Sequence, residues 1–98
     1  MSRLTLFYSD TCPACERCKP IWDSVTRRYP RQASVAIEVN RPPAKYAAAC
    51  TQLRVVPQLA ITDAQGRIRR MIAEPCTPQT IEKALGMKTR PTQTKKDA

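Results

Sequence analysis

Cys12-Pro13-Ala14-Cys15 places two thiols two residues apart, directly after the apolar run Leu4-Thr5-Leu6-Phe7-Tyr8. The run reads as a strand, and a helical pattern follows it at once. A Cys-x-x-Cys pair delivered by a strand to a helix N-terminus suits dithiol–disulfide chemistry. The unpaired N–H groups of the first turn and the positive end of the helix dipole favour a thiolate there. A free cysteine of pKa ~8.5 falls to about 3.5–7.5 in such surroundings. Cys12, first in the pair and nearest solvent, is the expected nucleophile, and Cys15 the thiol that resolves its mixed disulfide. Arg17 and Lys19 add positive potential nearby, and Glu16 opposes it. Far along the chain, Pro57 follows Val55-Val56 and opens the run Leu59-Ala60-Ile61. An X-Pro bond at the start of a strand is a place for a cis peptide.

These groups need elements to hold them. Residues 3–8 read as a strand with Leu4, Leu6 and Tyr8 on one face. Asp10 or Thr11 is the expected cap of the next helix, and Pro13 suits its first turn. Cys15, Cys18, Trp22, Val25 and Tyr29 are spaced 3, 4, 3, 4, one apolar stripe on a helix running to about Tyr29. Pro20 falls inside the stripe and is expected to kink the helix without ending it. Ala33–Val39 is a second strand, with Val35, Ile37 and Val39 on one face. Ala44 to about Arg54 is a helix with Tyr46, Ala49 or Cys50, and Leu53 inward. Gln58–Thr62 and Arg67–Ala73 are strands joined as a hairpin by Asp63-Ala64-Gln65-Gly66. Arg67, Arg69 and Arg70 suit an edge strand. Thr77 caps a last helix, Pro78 opens it, Ile81, Ala84 and Leu85 face inward, and Gly86 ends it. The first crossover implies parallel neighbours and the hairpin an antiparallel pair. The expected fold is α/β: a mixed four-stranded sheet with three helices on both faces, formed by residues 1–86. A polar, basic tail, disordered by its composition, is expected over residues 87–98.

Composition sets the setting. The 98 residues suit one domain, and no apolar run approaches a membrane span. Met1-Ser2-Arg3-Leu4 opens without a long apolar stretch, so the expectation is a cytoplasmic protein that meets no membrane. Five cysteines are an odd count, which fits a disulfide framework poorly. Cys18, on the apolar stripe with Trp22 and Val25, and Cys50, among Ala47, Ala48 and Ala49 on a helix, read as buried structural thiols. The absence of histidine excludes Cys–His catalysis and histidine metal ligation. Seventeen basic against eight acidic residues give +9, a charge that attracts acidic partners without specificity. No nucleic-acid motif accompanies it, so no specific nucleic acid is expected.

The layout, with Cys12-x-x-Cys15 at the first strand–helix junction, Pro20 five residues past Cys15, and Arg54-Val55-Val56-Pro57-Gln58-Leu59 ending in a proline 45 residues after Cys12, resembles the thioredoxin-like superfamily over residues 3–86. The resemblance implies a thiol–disulfide oxidoreductase with Cys12 and Cys15 catalytic. Its partners would be a disulfide-containing protein substrate and an electron donor, either a flavin-dependent reductase or glutathione. It implies a monomer without bound cofactor or metal. It also implies a substrate groove lined by Thr11, Pro13, Ala14, Val56, Pro57 and Ala73, in which Val56 backbone groups pair with a bound peptide. Departures from the family's pattern are informative. Thr11 stands where thioredoxins usually have Trp, and Pro13-Ala14 where they have Gly-Pro, which is similar to glutaredoxins. A glutathione-binding Gly-Gly-Asp is absent. The family's buried Asp would fall near Leu6 and its buried Lys near Glu38. Glu38 is thus an auxiliary candidate, a buried proton acceptor for Cys15 with a raised pKa. Cys76, on a loop that borders the family's groove, is a candidate second resolving thiol, against the plainer reading of a small residue before a helix cap. Two other classes compete. Cys12, Cys15 and Cys18 form Cys-x2-Cys-x2-Cys, a pattern for zinc or an iron–sulfur cluster. A redox-inert adaptor holding an acidic partner on its basic face is the other.

Overall fold

Residues 2–89 are described by the computed structural model. Strand β1 (Ser2–Tyr8) leads through a four-residue loop into α1 (Pro13–Arg28) and back to β2 (Ser34–Glu38). A 3₁₀ turn at Ala44–Tyr46 runs into the single helical turn α2 (Ala47–Cys50). The hairpin β3 (Gln58–Asp63) and β4 (Ile68–Ile72) then precedes α3 (Pro78–Thr89). The sheet order is β2-β1-β3-β4, with β1 parallel to β2 and antiparallel to β3, and β3 antiparallel to β4. The mixed α/β sheet expected from the crossover and the hairpin is the one observed, and the arginine-rich β4 is an edge.

Strand alternation sorts the core into two layers. Leu4, Leu6, Leu59, Ile61 and Ile72 pack against Cys18, Trp22 and Val25 of α1 and Ile81, Ala84 and Leu85 of α3. On the opposite face Phe7, Ile37 and Ala60 meet Tyr46 and Ala49 of the short helical segment. Thr5 and Thr62, fully buried on this face of the paired strands, bond each other through their hydroxyls at 2.8 Å. That contact satisfies two polar groups which would otherwise be costly to bury. A register shift beside Ile61 and Thr62 flips the face of β4 midway. Ile68 therefore packs with the Phe7 layer and Ile72 with the Trp22 layer, although they are four residues apart.

Several boundaries differ from the sequence expectation. Helix α1 passes through Pro20 as expected but stops at Arg28. Tyr29, expected in the core, is its exposed C-cap residue, and its hydroxyl donates to Glu82. The expected eleven-residue helix from Ala44 is only two short turns, because the chain bends away after Cys50 to reach Pro57. Cys50 is half-buried there rather than core. Gly86 does not end α3, which continues to Thr89. The left-handed conformation that makes glycine a stop signal occurs instead at Gly66 in the hairpin turn, with φ of 85°. Thr77 caps α3 as expected, its Oγ1 accepting the Thr80 N–H at 3.2 Å. The expected basic tail lies outside the described residues from Arg90 onward.

Candidate redox site

The loop after β1 sets Cys12 at the N-cap of α1 with an extended backbone, φ −97° and ψ 119°. Neither Asp10 nor Thr11 caps this helix. Cys12 does so itself: its Sγ accepts the Cys15 N–H at 3.3 Å, a contact an oxygen cap would otherwise take. Pro13 follows in the first turn, where a missing N–H costs nothing. A sulfur that caps a helix gains most when it is negative. Hydrogen bonding from the Cys15 thiol, then from the Cys15 and Ala14 N–H groups, holds the Cys12 thiol below its ordinary 9.0 against the opposing effect of burial, and Arg17 adds to the lowering. Cys15 lies one turn inward and is 2% exposed. Burial above all pushes its thiol up to about 11, and the neighbouring Cys12 and Glu38 charges push the same way. The Ser9 N–H, directed at Cys15 Sγ from 3.4 Å, opposes them. One accessible acidic thiol and one buried reluctant thiol thus share a single turn.

Tertiary structure brings Val56 and Pro57 to this turn. The Val56–Pro57 peptide is cis, and the Cys12 thiol points at the Val56 carbonyl oxygen from 3.6 Å. Val55, beside it, is a large apolar side chain 65% exposed. The antiparallel pairing Leu59↔Ile72, taken one step further, sets Ala73 beside Gln58 at the same end of the sheet. Thr11, Pro13 and Ala73 are exposed, and Ala14, Val56 and Pro57 half-buried, so all six expected groove residues are open to solvent to some degree.

Glu38 is not the buried acceptor that was expected. It is half-exposed at the end of β2, opposite Tyr8, and its pKa lies below the ordinary carboxylate value. The main cause is the Asp10 N–H, which donates to Oε2 at 3.0 Å, followed by the Asn40 N–H, which donates to Oε1 at 2.8 Å, and the Asn40 amide side chain; burial acts against them. Asn40 also donates to Ser9 Oγ at 3.2 Å. Asp10 takes an ion pair from Arg41 at 3.0 Å. Glu38 therefore clamps the loop that presents Cys12. Sequence reasoning missed this network; its only signal was the Glu-x-Asn spacing at a strand end.

Cys76 is not a resolving thiol, and Cys18 is not a free buried one. The two form a disulfide, with Cα atoms 5.8 Å apart and 58 residues between them in sequence. Cys12, Cys15 and Cys50 remain free. The odd count misled because one pair and three thiols is also odd. This bond consumes the third sulfur of the Cys-x2-Cys-x2-Cys pattern, and no group of three or more potential ligands is placed for a metal ion among the described residues. No helix among them is long and apolar enough to cross a membrane.

No protein-family model and no curated protein sequence matches this chain. Solved structures do. The first two thioredoxin domains of Saccharomyces cerevisiae Eps1p superpose with a TM-score of 0.73 at 14% identity, over 90% of this chain and 35% of that one. The chain therefore spans about a third of that structure's length. Fasciola hepatica thioredoxin matches with a TM-score of 0.65 at 13% identity, over 86% of this chain and 77% of its own. Oxidised thioredoxin from Plasmodium falciparum gives 0.64 at 10% identity, over 89% and 80%. Such identities speak for backbone architecture, and on that ground the chain has the thioredoxin-like fold.

Proposed function

We propose that this protein is a thiol–disulfide oxidoreductase acting on protein disulfides through Cys12 and Cys15. The observation that carries this reading is the Cys12 sulfur itself. It caps α1, sits below its ordinary pKa and lies 3.6 Å from the Val56 carbonyl.

The Cys12 thiolate attacks one sulfur of the substrate disulfide. That S–S bond breaks, a mixed disulfide forms, and the departing substrate thiolate takes a proton. Cys15 then loses its proton and attacks Cys12 Sγ, and the second substrate thiolate leaves. Two electrons pass to the substrate, and Cys12–Cys15 becomes a disulfide. The charges explain the order of events. While Cys12 is a thiolate, its charge helps keep Cys15 protonated. Once Cys12 is bound in the mixed disulfide that charge is gone, and Cys15 becomes easier to ionise when it is needed. Val56, half-buried next to Pro57, offers backbone groups to an extended substrate segment by strand addition, and Val55 offers apolar contact. The cycle closes through an external donor, a flavin-dependent reductase or glutathione.

The test is reduction of insulin with dithiothreitol as donor, wild type against Cys12→Ser. Turnover falling to the uncatalysed background is the expected result. Equal turnover in both proteins removes Cys12 from the chemistry and overturns the reading.

A further inference from the structure

Cys18–Cys76 lies outside the pair that exchanges with substrate, yet it ties the helix that carries Cys12 to the segment leading away from the Pro57 end of the sheet. The helix is α1, with Cys12 at its N-cap and Cys18 six residues later. The segment runs from Ala73 to Thr77, between the end of β4 and the cap of α3. Ala73 begins that segment beside Gln58, next to Pro57 and to Val56, whose carbonyl faces Cys12. Ala73, Glu74 and Pro75 are exposed. The disulfide is the covalent tie between this segment and α1. Its two sulfurs differ in access: Cys18 is 3% exposed, whereas Cys76 is half-buried. In the same molecule Cys12 and Cys15 are thiols while Cys18 and Cys76 are bonded.

We propose that Cys18–Cys76 is a second thiol–disulfide couple, opened at Cys76 by an external dithiol, whose state sets how well the surface around Cys12 and Pro57 takes a protein substrate. The proposal rests on the exchange role given above to Cys12. A thiolate of the dithiol attacks Cys76 Sγ, the S–S bond breaks, and Cys18 leaves as a thiolate and is protonated. The second thiol of the dithiol then displaces Cys76, which is protonated in turn. The dithiol ends as a disulfide, and two electrons have entered Cys18 and Cys76. Freed from α1, the Ala73–Cys76 segment must be ordered again each time a substrate binds, and that cost falls on binding rather than on sulfur exchange.

The first test equilibrates the wild type in dithiothreitol redox buffers, alkylates it, and reads each cysteine by peptide mass spectrometry. Two separate two-electron transitions are expected, with Cys12–Cys15 reduced first and Cys18–Cys76 only in more reducing buffer. Near-ultraviolet circular dichroism from Trp22 reports the fold throughout. A single joint transition, or a Cys18–Cys76 bond that opens only when the protein unfolds, overturns the proposal. The second test compares Cys76→Ser with wild type, both with Cys12 and Cys15 pre-reduced, in single turnover. The half-saturating insulin concentration is expected to rise about threefold or more, with the rate toward bis(2-hydroxyethyl) disulfide unchanged. An unchanged insulin dependence overturns the proposal. Repeating the titration on Cys12→Ser separates the two claims, because Cys18–Cys76 titrates there whether or not Cys12 catalyses exchange.

Discussion

Replacing Cys76 with serine removes a cross-link between residues 58 apart at a half-buried site, with little change of volume. The size of the effect follows from the loop. Closing a loop of that length removes unfolded-state entropy worth about 4 kcal/mol at 25 °C in the chain-entropy treatment. A domain of this size has a total stability of roughly 5–15 kcal/mol, so the bond supplies a quarter or more of it. The variant remains folded on that arithmetic but has a thin margin. Urea unfolding followed by Trp22 fluorescence measures the loss. With a slope of about 1–3 kcal/mol per molar urea, the midpoint falls by more than about 1 M. Trp22 suits the assay because it is buried in the same layer as Cys18. Adding excess reductant must bring the wild type down to the variant and leave the variant unmoved. A loss under about 1 kcal/mol, or a variant that reductant destabilises further, refutes the argument, since either outcome means the cross-link does not restrict the unfolded chain as its span requires.

Three further outcomes follow from the geometry. Per-residue alkylation by iodoacetamide against pH should show Cys12 half-reactive below 9.0; a Cys12 midpoint at or above 9.0 contradicts helix capping by its sulfur. The Glu38 carboxylate has a depressed pKa, so its clamp on the Asp10 and Asn40 amides is complete above the ordinary carboxylate value and is lost only as pH falls through the lower folded one. The NMR shifts of those two amides should therefore follow a transition whose midpoint lies below pH 4.5, and Glu38→Gln should remove it; a midpoint at or above pH 4.5 counts against the clamp. Gly66→Ala forces a side chain into a positive φ of 85° and sets its Cβ against the Lys45 carbonyl oxygen, and thermal unfolding should show a loss of about 1–3 kcal/mol or more; a neutral substitution would mean that this turn relaxes freely.

Local pattern was enough for much of this protein. Alternation placed Leu4 and Leu6 on one face and the 3-4-3-4 stripe gathered Cys18, Trp22 and Val25 on one side of α1, and these two sets pack together in one layer of the core. Thr77 and Pro78 marked the start of α3, and the turn residues Asp63 to Gly66 marked the hairpin. These are properties of neighbours in the chain, decided by side-chain period and backbone propensity. The Cys12–Cys15 pair and Pro57 were legible for the same reason, since each announces itself by residue type.

What escaped the chain order depends on groups that meet from far apart. Ile68 and Ile72 share a strand period, but a bulge sends them to opposite layers. Glu38 carries the same carboxylate in any setting, and only the Asp10 and Asn40 amides aimed at it lower its pKa instead of raising it. Tyr29 completes an apolar stripe in sequence, yet its helix ends one residue before it, and the ring stays exposed while its hydroxyl reaches Glu82 of α3. Five cysteines permit many pairings, and spacing alone gives no reason to choose Cys18 with Cys76. That choice is made when β4 and α3 bring the Ala73–Thr77 segment back over α1 and leave two sulfurs within bonding reach, a matter of distance in space to which separation along the chain is blind.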